Sequence, residues 1–315
     1  MSTSLHFQAF FITFREVFEA MLILGLITSY IKRVNQEKWN KWVWTGAGTA
    51  VIASLIVALL FQLLLNTYAT MGSEIYLKIS ILLISCILLT QMVFWMADQN
   101  QDIKGQMEKR LDVILTTGSA IGMVMHAFLV VLREGVETVF FFAAISQGQI
   151  DRVLTSWGAL IGLIGGIVLA FLFFRGMARF SLRTFFRVTG SVILLIAAGF
   201  LVNALGMLQD LKHLPSAMPH VFDLSWLMPE SPIDEAQYIR EHGTAPLISG
   251  NVGIFFSALL GYTHQPSIEQ LCAYLTYFVV VILWVRYRHQ RKQGQAKQPS
   301  LDRKEEDKTF DVSRL

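Results

Sequence analysis

AFFITFREVFEAMLILGLI (residues 9–27) and AFLVVLREGVETVFFFAAI (residues 127–145) each read as a membrane-spanning helix with Arg-Glu-x-x-Glu set inside it. Arg15, Glu16 and Glu19 lie in the first copy, and Arg133, Glu134 and Glu137 in the second. A charge at the centre of a membrane helix costs roughly 3 kcal/mol on translocon scales, so six such groups must pair, hydrate or bind an ion. Arg15 reaches Glu19 at i,i+4, and Glu16 sits one turn from Glu19, so each motif presents two carboxylates on one flank with a guanidinium beside them.

The rest of the chain fits a polytopic helical membrane protein. Of its 315 residues 54% are hydrophobic, the mean hydropathy is +0.50, and several apolar runs reach the roughly 20 residues that a span requires. Seven spans are predicted, over about 7–31, 43–65, 74–97, 119–145, 155–174, 188–208 and 267–285. No basic stretch precedes the first span and no small-residue cleavage site follows it, so it reads as a retained helix.

Of the 26 Lys and Arg residues, 20 fall in 32–41, 98–112, 175–187 and the tail from Arg286. Apart from Arg15 and Arg133, only Lys78, Arg152, Lys212 and Arg240 fall elsewhere. Positive charge marks the cytoplasmic side, which places the N-terminus outside and the C-terminus inside. An odd number of spans gives the same orientation.

AFFITFRE (9–16) aligns with AFLVVLRE (127–134) at an offset of 118, and the second and fifth spans both open near a Trp followed by small residues, at Trp44 and Gly46 and at Trp157 and Gly158. The repeat unit is three helices, so its two copies insert with opposite topology, and an axis in the membrane plane brings the two motifs together near the midplane. Repeat one covers about 5–97 and repeat two about 119–208, with the seventh span outside the repeat. A seven-helix domain over 1–286 thus precedes a tail over 287–315, expected to be disordered and cytoplasmic.

Carboxylate oxygens suit hard cations, and no clustered Cys or His set suggests copper or structural zinc. Four Glu and two Arg leave a net charge of −2 when all are ionised, which a ferrous ion neutralises, or a ferric ion with one more anionic ligand or hydroxide. Arg-Glu pairs that only lock helices together are the structural alternative, and a second copy at one offset counts against it. His126 lies seven residues before Arg133 on nearly the same face, and stands open as an accessory ligand or a structural histidine; its repeat counterpart is Gln8. Met92 and Met96 read as packing residues.

No phosphate-binding glycine loop or nucleophile constellation appears, which argues against an ATP-driven pump, and Cys86 and Cys272 form no Cys-x-x-Cys pair. Two function classes remain: a permease for a hard cation, and a membrane redox subunit that uses the glutamates as a proton relay. His126 is the lone deep histidine, which disfavours the haem of a redox subunit. Within the transport class carboxylates alone do not separate iron from manganese. The segment 209–266 carries Asp210, Asp223, Glu230, Asp234, Glu235 and Glu241 against Lys212 and Arg240, with four histidines, and reads as an outer loop able to attract cations or dock a delivery protein.

The paired motifs, with FFRVTGSVILLIAAGF (185–200) in the sixth span and GYTHQPSIEQLCAYLTYF (261–278) leading into the seventh, resemble the high-affinity iron permease family over about residues 5–286. That family includes the oxidase-linked permease of fungi and bacterial iron uptake permeases. The resemblance implies that Glu16, Glu19, Glu134 and Glu137 carry iron, with Arg15 and Arg133 as their partners. It implies import across the plasma membrane, the inner membrane in a bacterium. Iron is then substrate rather than resident cofactor, an extracytoplasmic oxidase or iron-binding protein works alongside, and no nucleic acid is involved. Val17 departs from the family, which often has Gly after the first glutamate, as at Gly135, and looser packing of the first motif helix is the expectation.

Overall fold

The computed structural model of the chain describes residues 3–69, 74–99, 103–146, 148–176, 182–218, 220–288 and 290. Among these residues the fold is all-helical. Its elements are α1 (Thr3–Arg33), a 3-10 turn (Glu37–Trp39), α2 (Asn40–Ala69), α3 (Glu74–Gln99), α4 (Ile103–Thr117), α5 (Ala120–Ile145), α6 (Ile150–Leu154), α7 (Trp157–Phe174), α8 (Leu182–Asp210), α9 (Pro232–His242) and α10 (Gly250–Leu260). A final helix, α11, runs over Ile268–Arg288. The chain divides into two compact units, Met1–Leu271 and Cys272–Leu315, and the described part of the second is mainly the remainder of α11. The predicted tail lies outside the described residues from 291 onward.

Among the described residues five segments are long and apolar enough to cross a membrane: Glu37–Thr67, Glu74–Phe94, Trp157–Phe174, Thr184–Asp210 and Ile268–Arg288. Leu59 and Leu63 on α2 and Ile161 and Ile164 on α7 are exposed, as suits faces solvated by lipid. The helices α1 and α5 are as long, at 31 and 26 residues, but each carries its ionisable triplet mid-length. Serine caps set where two helices begin, with Ser119 accepting from the Gly122 N–H and Ser156 from the Ala159 N–H.

The most extensive pairings are α1 with α7, α2 with α5, and α3 with α8. Small residues bring the first two pairs to backbone contact. A Cβ on Gly158 of α7 would strike the His6 carbonyl oxygen, and one on Gly46 of α2 would strike the Val124 carbonyl oxygen; His6 and Val124 are 118 residues apart. Further along, Gly166 lies against Val17, with its missing Cβ 3.0 Å from the Val17 Cβ, while Gly135 lies against the Ser54 side chain. Val17 therefore does not loosen its helix. The glycine that admits close approach stands on α1's partner helix instead, so the expected looser packing is corrected.

Beyond the paired helices, α4 docks on the end of α1 through an Arg33-to-Glu108 ion pair of 2.8 Å and a Tyr30-to-Asp112 hydrogen bond. This helix occupies part of 98–112, where the sequence reading placed only a basic connection. Between α8 and α11, Pro232 opens α9 in the first turn and Ser231 caps it. The next helix, α10, packs on α1 and α8, with Phe255 edge-on to Phe7 at 4.9 Å, and ends at Gly261 (φ 67°), whose backbone lies on Gly199 of α8.

Candidate metal centre

The two motif helices touch each other, and their carboxylates converge. One oxygen from each of Glu16, Glu134 and Glu137 lies within 4.8 Å of the other two. Three points no further apart than that all fall within about 2.8 Å of a common centre, near the roughly 2.0–2.6 Å of carboxylate-to-metal bonds. A contraction of about half an ångström would close the group on a cation.

Burial makes the group demanding. Arg15 is 1% exposed, Glu16 2% and Glu19 4%, and Glu134 is buried as well. Both Glu16 oxygens, Glu134 Oε2 and Glu137 Oε2 are buried and receive no hydrogen bond among the described residues. Two like charges 4 Å apart repel by about 4 kcal/mol at an effective dielectric of 20, so three carboxylates gathered without donors need positive charge. The guanidiniums supply part of it, and a multivalent cation would supply the rest.

Those guanidiniums are placed differently in the two motifs. Arg15 Nε lies 2.8 Å from Glu19 Oε1, and Arg15 Nη1 donates to the Met92 sulfur at 2.9 Å while standing 3.7 Å from Glu16 Oε1. Arg133 Nε donates to Glu137 Oε1 at 2.9 Å, yet the Arg133 side chain is 42% exposed and that of Glu137 21%. Glu19, engaged by Arg15, stands outside the three-carboxylate group. Of the four glutamates singled out in the sequence, three are thus brought together and the fourth holds a guanidinium.

His126 is half-buried and its Nε2 lies 3.3 Å from the Met107 sulfur of α4. Seven residues of helix put it about 10 Å along the axis from Arg133, and it is not in the carboxylate group. Two residues of this region were not singled out as polar partners by sequence. Met92, on α3, touches Arg15; Thr13, one turn before Glu16, is buried with its hydroxyl unpartnered among the described residues. An i−3 threonine facing the motif glutamate was visible in the sequence, whereas a cross-helix sulfur contact carries no local signal.

A second polar cluster lies in the segment between α8 and α11. Glu230 accepts from Ser257 of α10 at 3.2 Å and pairs with His264 Nδ1 at 3.4 Å, so one carboxylate ties the last turn of α10 to the chain just beyond it. Its hydrogen bond holds the His264 imidazole above its ordinary range, against the opposing effect of burial. Asp223 is held low by its bond from the Ser225 hydroxyl. Glu269 accepts from Gln209, Ser216 and the Ala217 N–H, which pins the start of α11 to the end of α8.

Residues 6–291 match the iron permease FTR1 family. The chain belongs to that family. Its relatives include proteins named ferrous iron permease EfeU from Escherichia coli O157:H7 and Shigella sonnei, each 29% identical over 279 residues that cover 88% of this chain and 94% of the relative. The Yersinia pestis protein of the same name is 28% identical over 279 residues, covering 88% of this chain and 92% of its own. No solved structure matches. Membership in a permease family, with the apolar helices, makes this a multi-pass membrane transport protein rather than an enzyme.

Proposed function

We propose that this permease imports iron across the plasma membrane, the inner membrane in a bacterium, through a carboxylate site shared by its two Arg-Glu-x-x-Glu helices. The observation that carries the reading is the meeting of Glu16 from one motif with Glu134 and Glu137 from the other. Oxygen donors from both helices close on one point only if the helices hold the right register, so their relative movement makes or opens the site. The name shared by the relatives favours ferrous iron as substrate.

Seven spans in a 3+3 inverted repeat give this site its two exits. Two observations support the repeat. Exchanging α1 with α5, α2 with α7, and α3 with α8 turns the three major pairings into themselves, and the Gly158-to-His6 contact reappears as Gly46 to Val124. Such a molecule alternates by rocking one repeat against the other.

The two motif helices have different neighbours at the ends that lead to the site. On α1, the flank leading to Arg15 passes Phe7, which meets Phe255 of α10 edge-on and is still 38% exposed. The corresponding flank of α5, passing Ile121, Met125 and Leu129 to Arg133, is exposed. With the N-terminus outside, the α10 side of the site faces outward and the exposed flank of α5 faces the cytoplasm. The acidic 209–266 segment then lies at the outer mouth, where an iron-delivering protein or an oxidase would dock.

Transport of radiolabelled iron into proteoliposomes tests the proposal, with the ion given as ferrous under ascorbate, as ferric citrate, and against competing manganese. Saturable ferrous uptake that Glu134→Gln abolishes is the expected result. Manganese taken up in preference to iron would reassign the substrate, and uptake indifferent to Glu134 would remove the site.

A further inference from the structure

The geometry points to Met92 as a positioning residue that holds Arg15 off the cation site. This rests on the carboxylate group being the ion site. One nitrogen, Arg15 Nη1, faces two acceptors: the Met92 sulfur at 2.9 Å and Glu16 Oε1 at 3.7 Å. On the other side Arg15 Nε is fixed to Glu19 Oε1 at 2.8 Å. The guanidinium is planar and rigid, so its direction is set by the acceptors at its ends. With Nε beside Glu19, the sulfur is an acceptor that draws Nη1 away from Glu16.

The choice matters because Glu16 is the α1 oxygen donor in the three-carboxylate group, and both its oxygens are buried without a hydrogen-bond donor among the described residues. Closing the distance between Nη1 and Oε1 by less than 1 Å would convert Glu16 from a free ligand into half of an Arg-carboxylate pair. That pair is a charge-assisted bond and competes directly with a metal ion. A thioether is a weak, uncharged, polarisable acceptor. It turns the guanidinium aside without adding a carboxylate that would itself claim the cation. The positive charge stays close, tempering the repulsion among the glutamates, while the ligand atoms stay vacant.

Met92 is itself buried, on α3, a helix outside the motif pair. The contact thus makes the state of the α1 site sensitive to where α3 stands. Arg133 is placed differently: it is half exposed and its Nε donates to Glu137, which belongs to the carboxylate group.

The test compares wild type with Met92→Leu, which keeps the volume and loses the acceptor, and Met92→Gln, which restores one as an amide oxygen. Manganous ion is titrated into the purified full chain in micelles, with free manganese read by electron paramagnetic resonance, and ferrous uptake is measured in proteoliposomes at matched abundance. Met92→Leu is expected to bind manganese about tenfold more weakly and to raise the apparent KM for ferrous iron similarly, with maximal uptake within twofold of wild type. Met92→Gln should return both to within about threefold. If the Leu variant melts early, Met92→Ile takes its place in the same comparison.

Wild-type behaviour of Met92→Leu would overturn the role, and so would equal losses in the Leu and Gln variants, which signify packing alone. Wild-type protein that binds manganese but imports no iron would instead defeat the transport reading, leaving the Met92 comparison legible in the titration. Wild-type protein that binds no manganese would defeat the site and the role of Met92 together.

Discussion

Glu19 and Glu134 occupy different positions in the two motifs and should fail differently. Glu134 offers an oxygen to the three-carboxylate group, whereas Glu19 pairs with Arg15. Losing a charged bond costs roughly 1.5–3 kcal/mol, or ten- to a hundredfold in affinity. Glu134→Gln is therefore expected to weaken manganous binding by about a hundredfold, and Glu19→Gln by about tenfold through the released guanidinium. A larger loss at Glu19 than at Glu134 would return Glu19 to the ligand set. A packing residue offers an independent check: Gly158→Ala sets a methyl against the His6 carbonyl, and the overpacking should cost about 1–3 kcal/mol, lowering the melting temperature in micelles. The motif residues were legible in the sequence because charge inside an apolar run has few explanations. The division of labour among them was not, since i,i+4 spacing allows Arg15 and Arg133 the same bond, and only the neighbouring helices distinguish a buried guanidinium held by sulfur from a half-exposed one. Val17 teaches the same point, because its missing glycine is supplied by Gly166 across the interface.

At the scale of elements, the apolar helices were readable to within a few residues, since hydrophobic length is dictated by the bilayer. The helices α4, α9 and α10 carry weaker signals: α4 and α9 are polar on one side, and α10 is too short to span. Their positions come from tertiary contacts that periodicity does not encode. Two consequences can be measured on them. In a Cys272→Ser background, a cysteine replacing Leu129 on the bare flank of α5 should react with a membrane-impermeant thiol reagent from the cytoplasmic side, while one replacing Phe11 on α1 should be protected; Cys86 is buried and should stay silent. Protection of the Leu129 site from both sides would mean that this flank faces lipid rather than a water-filled route. The strap on α10 is pH-dependent. Glu230 raises the His264 pKa in the folded protein, so the stabilisation is complete below the ordinary histidine range and is lost as pH rises through the elevated value. Amide exchange of Gly250–Leu260 should accordingly quicken from pH 6 to pH 9, after correction for intrinsic rates, and His264→Gln should remove that pH response. An unchanged response in the variant would relieve His264 of the role.

For the whole molecule, the two motifs gain meaning through the relation between them. In the proposed inverted repeat, the offset of 118 with a three-helix unit has the halves insert oppositely, which would let one carboxylate group be reached alternately from either face. The pairing of α1 with α7 and α2 with α5 supports the relation, because each repeat packs its first helix on the other repeat's second. Neither half can then bury its own motif alone, so truncation after residue 117 should leave a fragment that inserts but binds no manganese. Topology is the firmest test of the arrangement. The connection over 98–112 carries three basic residues and the segment over 209–266 is acidic, so they belong on opposite faces of the membrane. A reporter that is active only when exported should stay silent when fused within 98–112 and become active when fused within 209–266, and a cytoplasmic reporter should give the complement. Both fusions exported, or both retained, would mean an even number of crossings between them in place of the three expected, breaking the three-helix unit. The inverted repeat would fall with it, and the meeting of Glu16 with Glu134 and Glu137 would need another origin.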